Sequence, residues 1–355
     1  MKVYAVIMAG GVGSRFWPSS KEKTPKQLLK IFGKNTLIQD TVERLKDIVN
    51  YEDIFIATNK LQKPEILNQL PQLPPENIIC EPFGRNTAAC IGLSAVILKA
   101  KAQDAVMITL PSDHLIRDIE SFNKTLNSAI KFAYGSKGLV TIGITPSRPE
   151  TGYGYIQIDE KEIDTNIHRV FTFAEKPNYA TAVRFLESGD FFWNSGMFIW
   201  RVDSILDEMK THMSELYEGL QKIDMDLNTP EFEKTVVNVY GQLRNISIDY
   251  GIMEKSSNVY LTKGNFMWSD VGSWEEVYQL SEKDGEGNAS KGNVFTDMTV
   301  DSLIFSPNKF TAAIGVENLI IINTDDALLV CRRDHSQDVR KVVDHLKINK
   351  LTEHL

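Results

Sequence analysis

Short runs of apolar, β-prone residues alternate with helix-periodic segments over the first 145 residues, and this alternation strongly constrains the fold. Four of the runs predict strands, at 3–8, 53–58, 104–111 and 138–144. Two segments between them predict helices, at 36–49 and 87–101. Strands joined by helices form right-handed βαβ units, which give a parallel sheet covered on both faces. Because ligands bind beyond the carboxyl ends of such strands, the sequence predicts an α/β fold with its site at that edge.

The remainder of the chain has a different pattern of predicted elements. Strands are predicted at 151–158, 169–177 and 194–201, and a helical stretch at 203–222. From about residue 285, short β runs broken by Asn, Asp, Gly and Pro predict a small β-helix or β-sandwich unit that ends in an amphipathic helix, 336–347. The Gly-rich, charged segment 280–292 is the best candidate for a linker. We therefore predict a large domain, 1–284, and a C-terminal β-rich domain, 285–355.

Composition excludes several classes of protein. The net charge of −8 argues against a general nucleic-acid or anionic-membrane binder, which would need a broad basic surface. No apolar run approaches the ~20 residues of a membrane span, and residues 3–8 do not lead into a signal-peptide cleavage site. Cys80, Cys90 and Cys331 form no CxxC pair, which favours neither a disulfide framework nor a zinc site. We expect a soluble cytoplasmic protein.

A glycine-rich, basic loop follows the first predicted strand, in the stretch VIMAGGVGSRFWPSSKEKTPKQLL (6–29). It is no Walker loop, because GxxxxGK[ST] is absent, and the dinucleotide fingerprint GxGxxG lacks its third glycine. Gly10, Gly11 and Gly13 allow the backbone to come close to a ligand and to point N–H groups at phosphate oxygens. Arg15 and Lys26 add two cations. The loop therefore predicts a site for a polyphosphate.

The same loop resembles the G-G-x-G-x-R…P-K signature of the sugar-1-phosphate nucleotidylyltransferases. Seven further motifs, in order, resemble the mannose-1-phosphate guanylyltransferases of that family: EPFGRNTAA (81–89), LPSDH (110–114), ETGYGYI (150–156), FAEKP (173–177), WNSGMFIW (193–200), DYGIMEK (249–255) and WSDVGSW (268–274). Thymidylyl- and uridylyltransferase relatives share the loop but usually lack GRNTA and PSDH. The resemblance implies a Rossmann-like nucleotidyltransferase domain with a mixed, mainly parallel sheet, and a small β-helix-like C-terminal domain.

The reaction that the resemblance implies joins GTP and α-D-mannose 1-phosphate to give GDP-mannose and pyrophosphate. A phosphate oxygen of the sugar attacks the α-phosphorus in line, so the protein must align two anions and neutralise charge. The catalytic residues implied are Arg15, Lys26, Asp113 and Asp270. The two aspartates are also the implied ligands of a Mg²⁺ cofactor, because Mg²⁺ prefers hard carboxylate oxygens.

The binding residues implied by the resemblance fall into two groups. Those for the nucleotide lie in 1–145: Gly10, Gly11, Gly13, Arg85, Asn86, Thr87 and Ser112. Those for the sugar phosphate lie in 146–284: Gly152, Tyr153, Glu175, Lys176, Asn194, Ser195 and Lys255. Alternative roles remain open for some of them, since Asn86 or Thr87 could cap the helix 87–101, and Lys255 could be a solvated lysine.

Other functions are also open at this point. The chain could be a non-catalytic subunit that senses GDP-mannose, or a nucleotidylyltransferase for another sugar 1-phosphate. Some relatives carry an added cupin domain for isomerisation, which needs metal-binding histidines; with six scattered histidines, we expect no isomerase activity here. Exposed edges of the C-terminal β segment suggest a homodimer. A dinucleotide-dependent dehydrogenase is disfavoured by the missing glycine.

Overall fold

The computed structural model describes residues 1–11 and 13–355. The strands of its central sheet are β1 (Val3–Met8), β2 (Ile54–Asn59), β3 (Ile78–Glu81), β4 (Val106–Pro111), β6 (Leu139–Ile144), β7 (Tyr155–Asp164), β8 (Ile167–Ala174), β9 (Phe191–Arg201) and β10 (Val259–Gly264). Two short strands, β5 (Leu115–Ile116) and β11 (Trp268–Ser269), pair with each other. Within the described residues the nine central strands lie in the order β3-β2-β1-β4-β9-β6-β10-β8-β7. All but β8 and β9 run in one direction, which confirms a mixed, mainly parallel sheet.

Helices pack on both faces of this sheet. They are α1 (Leu37–Glu43), α2 (Lys63–Gln69), α3 (Asn86–Lys101), α4 (Ile119–Ser136), α5 (Tyr179–Ser188), α6 (Val202–His212), α7 (Ser214–Asp226) and α8 (Phe232–Gln242). Two more, α9 (Trp274–Leu280) and α10 (Arg340–Ile348), pack in the core of the C-terminal unit instead. Successive residues of β1 point to opposite faces, as in any strand. Tyr4 and Val6 pack with α3, α6, α7 and α8, whereas Ala5 and Ile7 pack with α1, α2 and α4. Burial on both faces explains why the predicted strands read as continuous apolar runs.

The C-terminal unit consists of β12 (Ala289–Asp297), β13 (Leu303–Ile314), β14 (Leu319–Asn323) and β15 (Leu328–Arg332). β12, β13 and β14 pair in parallel, and β15 returns antiparallel to β14. This arrangement fits the predicted β-helix-like unit. Its apolar side packs on Phe16 and Trp274 of the larger part of the chain. The indole N–H of Trp17 donates to the carbonyl of His354 at 2.9 Å, so the unit holds the segment behind the glycine loop.

Several predicted boundaries were wrong. The helix predicted at 36–49 starts from a capping box on Thr36 but ends at Glu43, and turns follow. The helical stretch 203–222 is two helices that break at Met213. Strand β7 starts at Tyr155 because 151–154 form a bend. None of the helices in the described parts of the chain has the length and apolarity needed to cross a membrane.

Candidate active site

Two loops meet at the carboxyl edge of the sheet because β1 and β4 are neighbours in parallel register. Met8 lies opposite Pro111, and the N–H of Ser112 donates to the carbonyl of Met8 at 3.1 Å. Asp113 therefore lies beside the glycine loop. The β5–β11 pair then brings a distant segment to the same place, because Ser269 lies opposite Leu115. Asp270 follows directly, so a two-residue sheet accounts for the approach of two aspartates that are far apart in sequence.

Lys26 connects these segments. Its Nζ donates to Oδ2 of Asp113 at 2.8 Å and to the carbonyl oxygen of Asp270 at 2.5 Å, and its side chain is buried. The lysine can come this close because Gly13 has φ of +60° and no side chain: a Cβ there would lie 2.7 Å from the backbone N of Lys26. The glycine is therefore required both for its backbone conformation and for its size. Arg15 is exposed in the Ser14–Phe16 turn that follows.

Gln27 is a loop residue that the sequence analysis missed. It is buried, and its amide donates to the carbonyls of Ala9 at 2.8 Å and of Gly11 at 3.2 Å. Both bonds hold carbonyl oxygens inward, which favours outward-facing N–H groups along the loop. The only signal for this role was its place beside Lys26 in the P-K-Q run.

The two aspartates differ in electrostatic surroundings. Burial alone would raise the pKa of Asp113, but Lys26 and His114 together hold that pKa below its usual value. Burial and the nearby Glu276 carboxylate raise the pKa of Asp270. Oδ1 of Asp270 accepts from the Tyr153 hydroxyl at 2.5 Å, and burial with this carboxylate raises the pKa of that phenol. The phenol therefore stays a donor at neutral pH.

The oxygen donors here suit a hard divalent cation that takes most of its ligands from phosphate groups and water. The described residues contain no group of three or more His, Cys, Asp or Glu side chains that could hold a metal. Asp113 and Asp270 supply carboxylate oxygens, and Oδ2 of Asp270 faces Gly272, where a Cβ would approach it to 3.4 Å. Two carboxylates completed by phosphate oxygens and water are typical of Mg²⁺ rather than of a closed protein site.

The side chain and carbonyl of His114 are held by hydrogen bonds within the protein. Its Nδ1 accepts from the indole N–H of Trp268 at 3.1 Å, and its carbonyl accepts from Arg44 at 3.0 Å. Burial lowers the pKa of His114 to about 4, so the ring is neutral at physiological pH. A neutral imidazole whose Nδ1 is an acceptor carries its proton on Nε2.

The residues predicted to read the base have protein partners. Arg85 donates to the carbonyl of Tyr240 at 2.8 Å, and Oδ1 of Asn86 accepts from the N–H of Thr87 at 2.9 Å. The Thr87 hydroxyl accepts from the N–H of Ile248 at 2.8 Å. These side chains shape the loop at the start of helix α3, where the residue before the helix, Arg85, makes no side-chain cap. The bond from the Thr87 N–H to Asn86 satisfies one donor of the first turn, which is compatible with the alternative role of Asn86 at the helix start. Their contact with a nucleotide stays a prediction.

Glu81 is a second residue that the sequence analysis missed. It ends β3 and lies under the glycine loop, where its Oε2 would be 3.5 Å from a Cβ at Gly10. The Tyr240 hydroxyl donates to Oε1 at 3.1 Å, and the side chain is buried. Burial raises the pKa of Glu81 to about 7, although bonds from Tyr240 and Cys90 oppose the rise. The available signal was an acid at the carboxyl end of a strand.

Only some of the predicted sugar-phosphate residues lie together in the structure. Glu175, Lys176 and Asn194 lie together: Lys176 forms an ion pair with Glu175, and both Oε2 of Glu175 and Cβ of Asn194 crowd Gly154. Lys176 has a left-handed backbone conformation, with φ of +50°. The close-packed glycine is thus Gly154 rather than the predicted Gly152, whose N–H donates to Glu150 in an exposed bend.

Three other residues predicted for this group have different surroundings, and their contact with the sugar phosphate stays a prediction. Ser195 is buried and donates to the carbonyl of Ile142 at 2.6 Å, because successive residues of β9 face opposite sides and Asn194 takes the side of the site. Tyr153 bonds to Asp270, so its hydroxyl belongs to the aspartate pair. Lys255 follows the helical turn Asp249–Met253 and lines a different cavity, beside α7.

Comparison with known proteins gives consistent matches. A nucleotidyl transferase family model matches residues 4–287, and a model for a MannoseP isomerase/GMP-like beta-helix domain matches 292–346. Mannose-1-phosphate guanylyltransferases from Escherichia coli and Salmonella muenchen are each 40% identical to the chain, over 98% and 99% of it; the chain spans 75% of the length of each. The crystal structure of mannose-1-phosphate geranyltransferase from Thermus thermophilus superposes with a TM-score of 0.88 and 32% identity, covering 98% of this chain and 100% of that one.

Proposed function

The chain belongs to the nucleotidyl transferase family and groups there with the mannose-1-phosphate guanylyltransferases, and we propose that it transfers the guanylyl group of GTP to α-D-mannose 1-phosphate. The family predicted from eight motifs is thereby confirmed. Pyrophosphate and GDP-mannose are the proposed products. The observation that carries the proposal is the convergence of Lys26, Asp113 and Asp270 at the carboxyl edge, beside the glycine loop.

The phosphate end of the reaction is assigned to this cluster. A sugar phosphate oxygen forms a bond to the α-phosphorus while the bond from that phosphorus to the pyrophosphate oxygen breaks. The attacking oxygen is already ionised at pH 7, so no general base is needed. Lys26 faces the charge that grows on the α-phosphate, and Arg15 can reach the leaving pyrophosphate because it is exposed.

We propose Mg²⁺ as the cofactor, held by Asp113 and Asp270. When bound, it supplies Lewis-acid stabilisation of the phosphate charge. The chain's own contribution is to hold the two carboxylates in place: Tyr153 donates to Asp270, and Lys26 neutralises Asp113. The pKa of Asp113 below its usual value keeps this side chain ionised and able to bind a cation at neutral pH.

The base is assigned to the carboxyl end of β3, beside Gly10 and Glu81. Guanine presents an N1–H and an N2 amino group side by side, both donors, and a carboxylate only accepts. The Glu81 carboxylate at the end of β3, next to Gly10, offers that acceptor. Adenine has no such pair of donors. Glu81 therefore gives a physical reason for a preference for GTP, which Arg85 alone does not supply.

The sugar phosphate is assigned to Glu175, Lys176 and Asn194. A carboxylate and an amide can accept from and donate to sugar hydroxyls, and the ammonium group can pair with the phosphate. Tyr153 packs against Trp193 at 5.2 Å and also bonds to Asp270, so one side chain links this group to the proposed metal site. The two substrates would then lie on either side of the aspartate pair.

We keep the remaining predictions as parts of the proposal. The functional division of the chain is proposed at 145 and near 285. A cytoplasmic setting is proposed from the three free thiols of Cys80, Cys90 and Cys331, which suit a reducing compartment. The homodimer stays a prediction, as do the functional roles of Gly11 and Ser112.

A pyrophosphate-release assay tests the proposal. Purified protein is given GTP, ATP, UTP or dTTP with mannose 1-phosphate or glucose 1-phosphate, with and without Mg²⁺. We expect release with GTP and mannose 1-phosphate that depends on the metal and is at least about tenfold above the other pairs, since a buried acceptor left unpaired costs about 1–3 kcal/mol. Tight GDP-mannose binding without release would support the sensing subunit instead. Preference for another sugar would support the second alternative.

A further inference from the structure

A second buried carboxylate lies beside the sugar-phosphate group. Asp249 begins a π-helical turn, Asp249–Met253, and its Oδ1 accepts from the amide of Asn194 at 2.8 Å. The Asp249 carboxylate is also close enough to Glu175 and Lys176 to raise the pKa of both side chains. The sequence analysis did not consider Asp249 for this site. Turns of this rare helical type occur often at functional sites.

Glu175 gives an independent indication of a ligand site. Its side chain is only 8% exposed, and one oxygen pairs with Lys176. The other oxygen, Oε2, is buried and has no hydrogen-bond partner among the described residues. It points at Gly154, where a side chain would collide with it. Buried polar atoms are nearly always bonded in native proteins, so an unsatisfied carboxylate oxygen here indicates a donor that arrives with the ligand.

The two acids also disturb each other. Burial raises the pKa of Glu175, and the charge of Asp249 raises it further; burial raises the pKa of Asp249 as well. Lys176 opposes the rise at both acids, and at Asp249 the Asn194 amide, a backbone N–H and the Ser247 hydroxyl also oppose it. Two desolvated carboxylates side by side are unfavourable in an empty pocket. Hydroxyl donors from a ligand would relieve that cost for both.

The Asn194 amide is fixed in a way that suits the same ligand. Its oxygen accepts from the N–H of Gly196 at 3.1 Å, and one N–H goes to Asp249. The second N–H is then available as a donor. Sugar hydroxyls both donate and accept, so a pocket with two carboxylates, one amide N–H and one ammonium group matches neighbouring hydroxyls on one ring.

We propose that Asp249 is a specificity-determining residue that accepts a hydrogen bond from a ring hydroxyl of the sugar 1-phosphate, next to the hydroxyl bound by Glu175. The proposal rests on the proposed function and refines it: the site selects a hexose 1-phosphate with two adjacent free hydroxyls. The rival explanation is that Asp249 only anchors Asn194 and starts the π-helical turn.

The test combines Asp249→Asn with monodeoxy analogues of mannose 1-phosphate. The asparagine oxygen can still accept from Asn194, so the anchoring role is kept while the charge is removed. We expect KM for mannose 1-phosphate to rise about 10- to 100-fold, as for a lost bond to a charged group, with KM for GTP within about twofold. With the analogue that lacks the hydroxyl bound by Asp249, wild type and variant should differ by less than about threefold.

The control is Glu254→Gln, which removes the same charge from an exposed neighbour that accepts from the N–H of Glu175. It should leave KM for both substrates within about twofold. Melting temperature and GTP binding check that each variant is folded. If Asp249→Asn does not fold, the wild-type protein alone still tests the proposal. The proposal is overturned if KM for every monodeoxy analogue stays within about threefold of KM for mannose 1-phosphate.

Two results separate the failures. If the wild-type protein releases no pyrophosphate with any sugar 1-phosphate, the proposed function is wrong. If the wild type is active, and Asp249→Asn either has no effect or penalises mannose 1-phosphate and every analogue equally, the activity stands and the role of Asp249 is wrong.

Discussion

Replacing Glu81 by glutamine should stabilise the protein at alkaline pH and weaken its binding of GTP. The carboxyl is buried, and burial raises its pKa from 4.5 to about 7. A rise of that size corresponds to about 3 kcal/mol of unfavourable burial of the charged form. Glutamine carries no charge, and its amide oxygen can still accept from the Tyr240 hydroxyl. The variant therefore avoids most of this penalty.

The sign of the pH dependence follows from proton binding. Because the pKa of Glu81 is higher in the folded chain than in the unfolded chain, the folded protein binds more protons between pH 4.5 and 7. Its stability therefore falls as pH rises through this window. Near pH 4.5, the free energies of unfolding of the wild type and Glu81→Gln should differ only by an offset that does not depend on the ionisation of Glu81. Above pH 8 the variant should gain up to about 3 kcal/mol relative to that offset.

Urea denaturation of both proteins at pH 5 and pH 8.5, followed by tryptophan fluorescence, measures the difference. Glu120→Gln serves as a control that removes one carboxylate from the surface, where Glu120 forms an ion pair with Lys124. Under the same proposal, Glu81→Gln should raise KM for GTP about tenfold or more and reduce the preference for GTP over inosine triphosphate, which lacks the 2-amino group. Parallel wild-type and Glu81→Gln stability profiles would refute the argument from burial. An unchanged nucleotide preference would refute the role in reading guanine.

Further predictions concern the phosphate end, the sugar end and the C-terminal unit. Lys26→Ala should lower kcat by about 10²–10³ in the pyrophosphate-release assay, as when one donor to a developing charge is removed; activity within tenfold of wild type would contradict its role. Gly154→Ala should push the Glu175 carboxylate aside and raise KM for the sugar phosphate at least about tenfold, with little change in melting temperature, because a side-chain end can move. Arg333→Leu removes a two-bond pair with Glu275, at 2.7 and 2.8 Å, and should destabilise the docking of the C-terminal unit by about 1–3 kcal/mol, seen as faster limited proteolysis near 281–288; proteolysis at the wild-type rate would contradict this.

The central strands could be predicted from the sequence because burial on both faces leaves long apolar runs. The strands predicted at 3–8 and 104–111 match β1 and β4 to within two residues. Helix α4, in contrast, was missed although one face of it is buried, because its apolar residues are spread among polar ones. Helix breaks were also missed, since the turn at Met213 depends on how two helices pack against α3 and not on a local breaker.

The parts of the site that lie within one motif were easier to predict than those that depend on contact between two distant segments. The glycine loop and Lys26 belong to a single stretch, so their chemistry could be inferred together. Glu81 is buried by Tyr240, 159 residues away, and Asp249 gains its importance only next to Asn194, 55 residues away. Nothing local distinguishes such acids from solvated ones. Ser195 lies apart from Asn194 for a different reason, because these adjacent polar residues sit on a strand whose successive side chains face opposite sides.

The bond from Trp17 to the carbonyl of His354 spans 337 residues and ties the segment after the glycine loop to the last turn of the chain. During synthesis, the N-terminal part emerges from the ribosome first, and this bond can form only after residue 354 has also emerged. A chain translated only as far as the central sheet therefore carries its glycine loop without this brace.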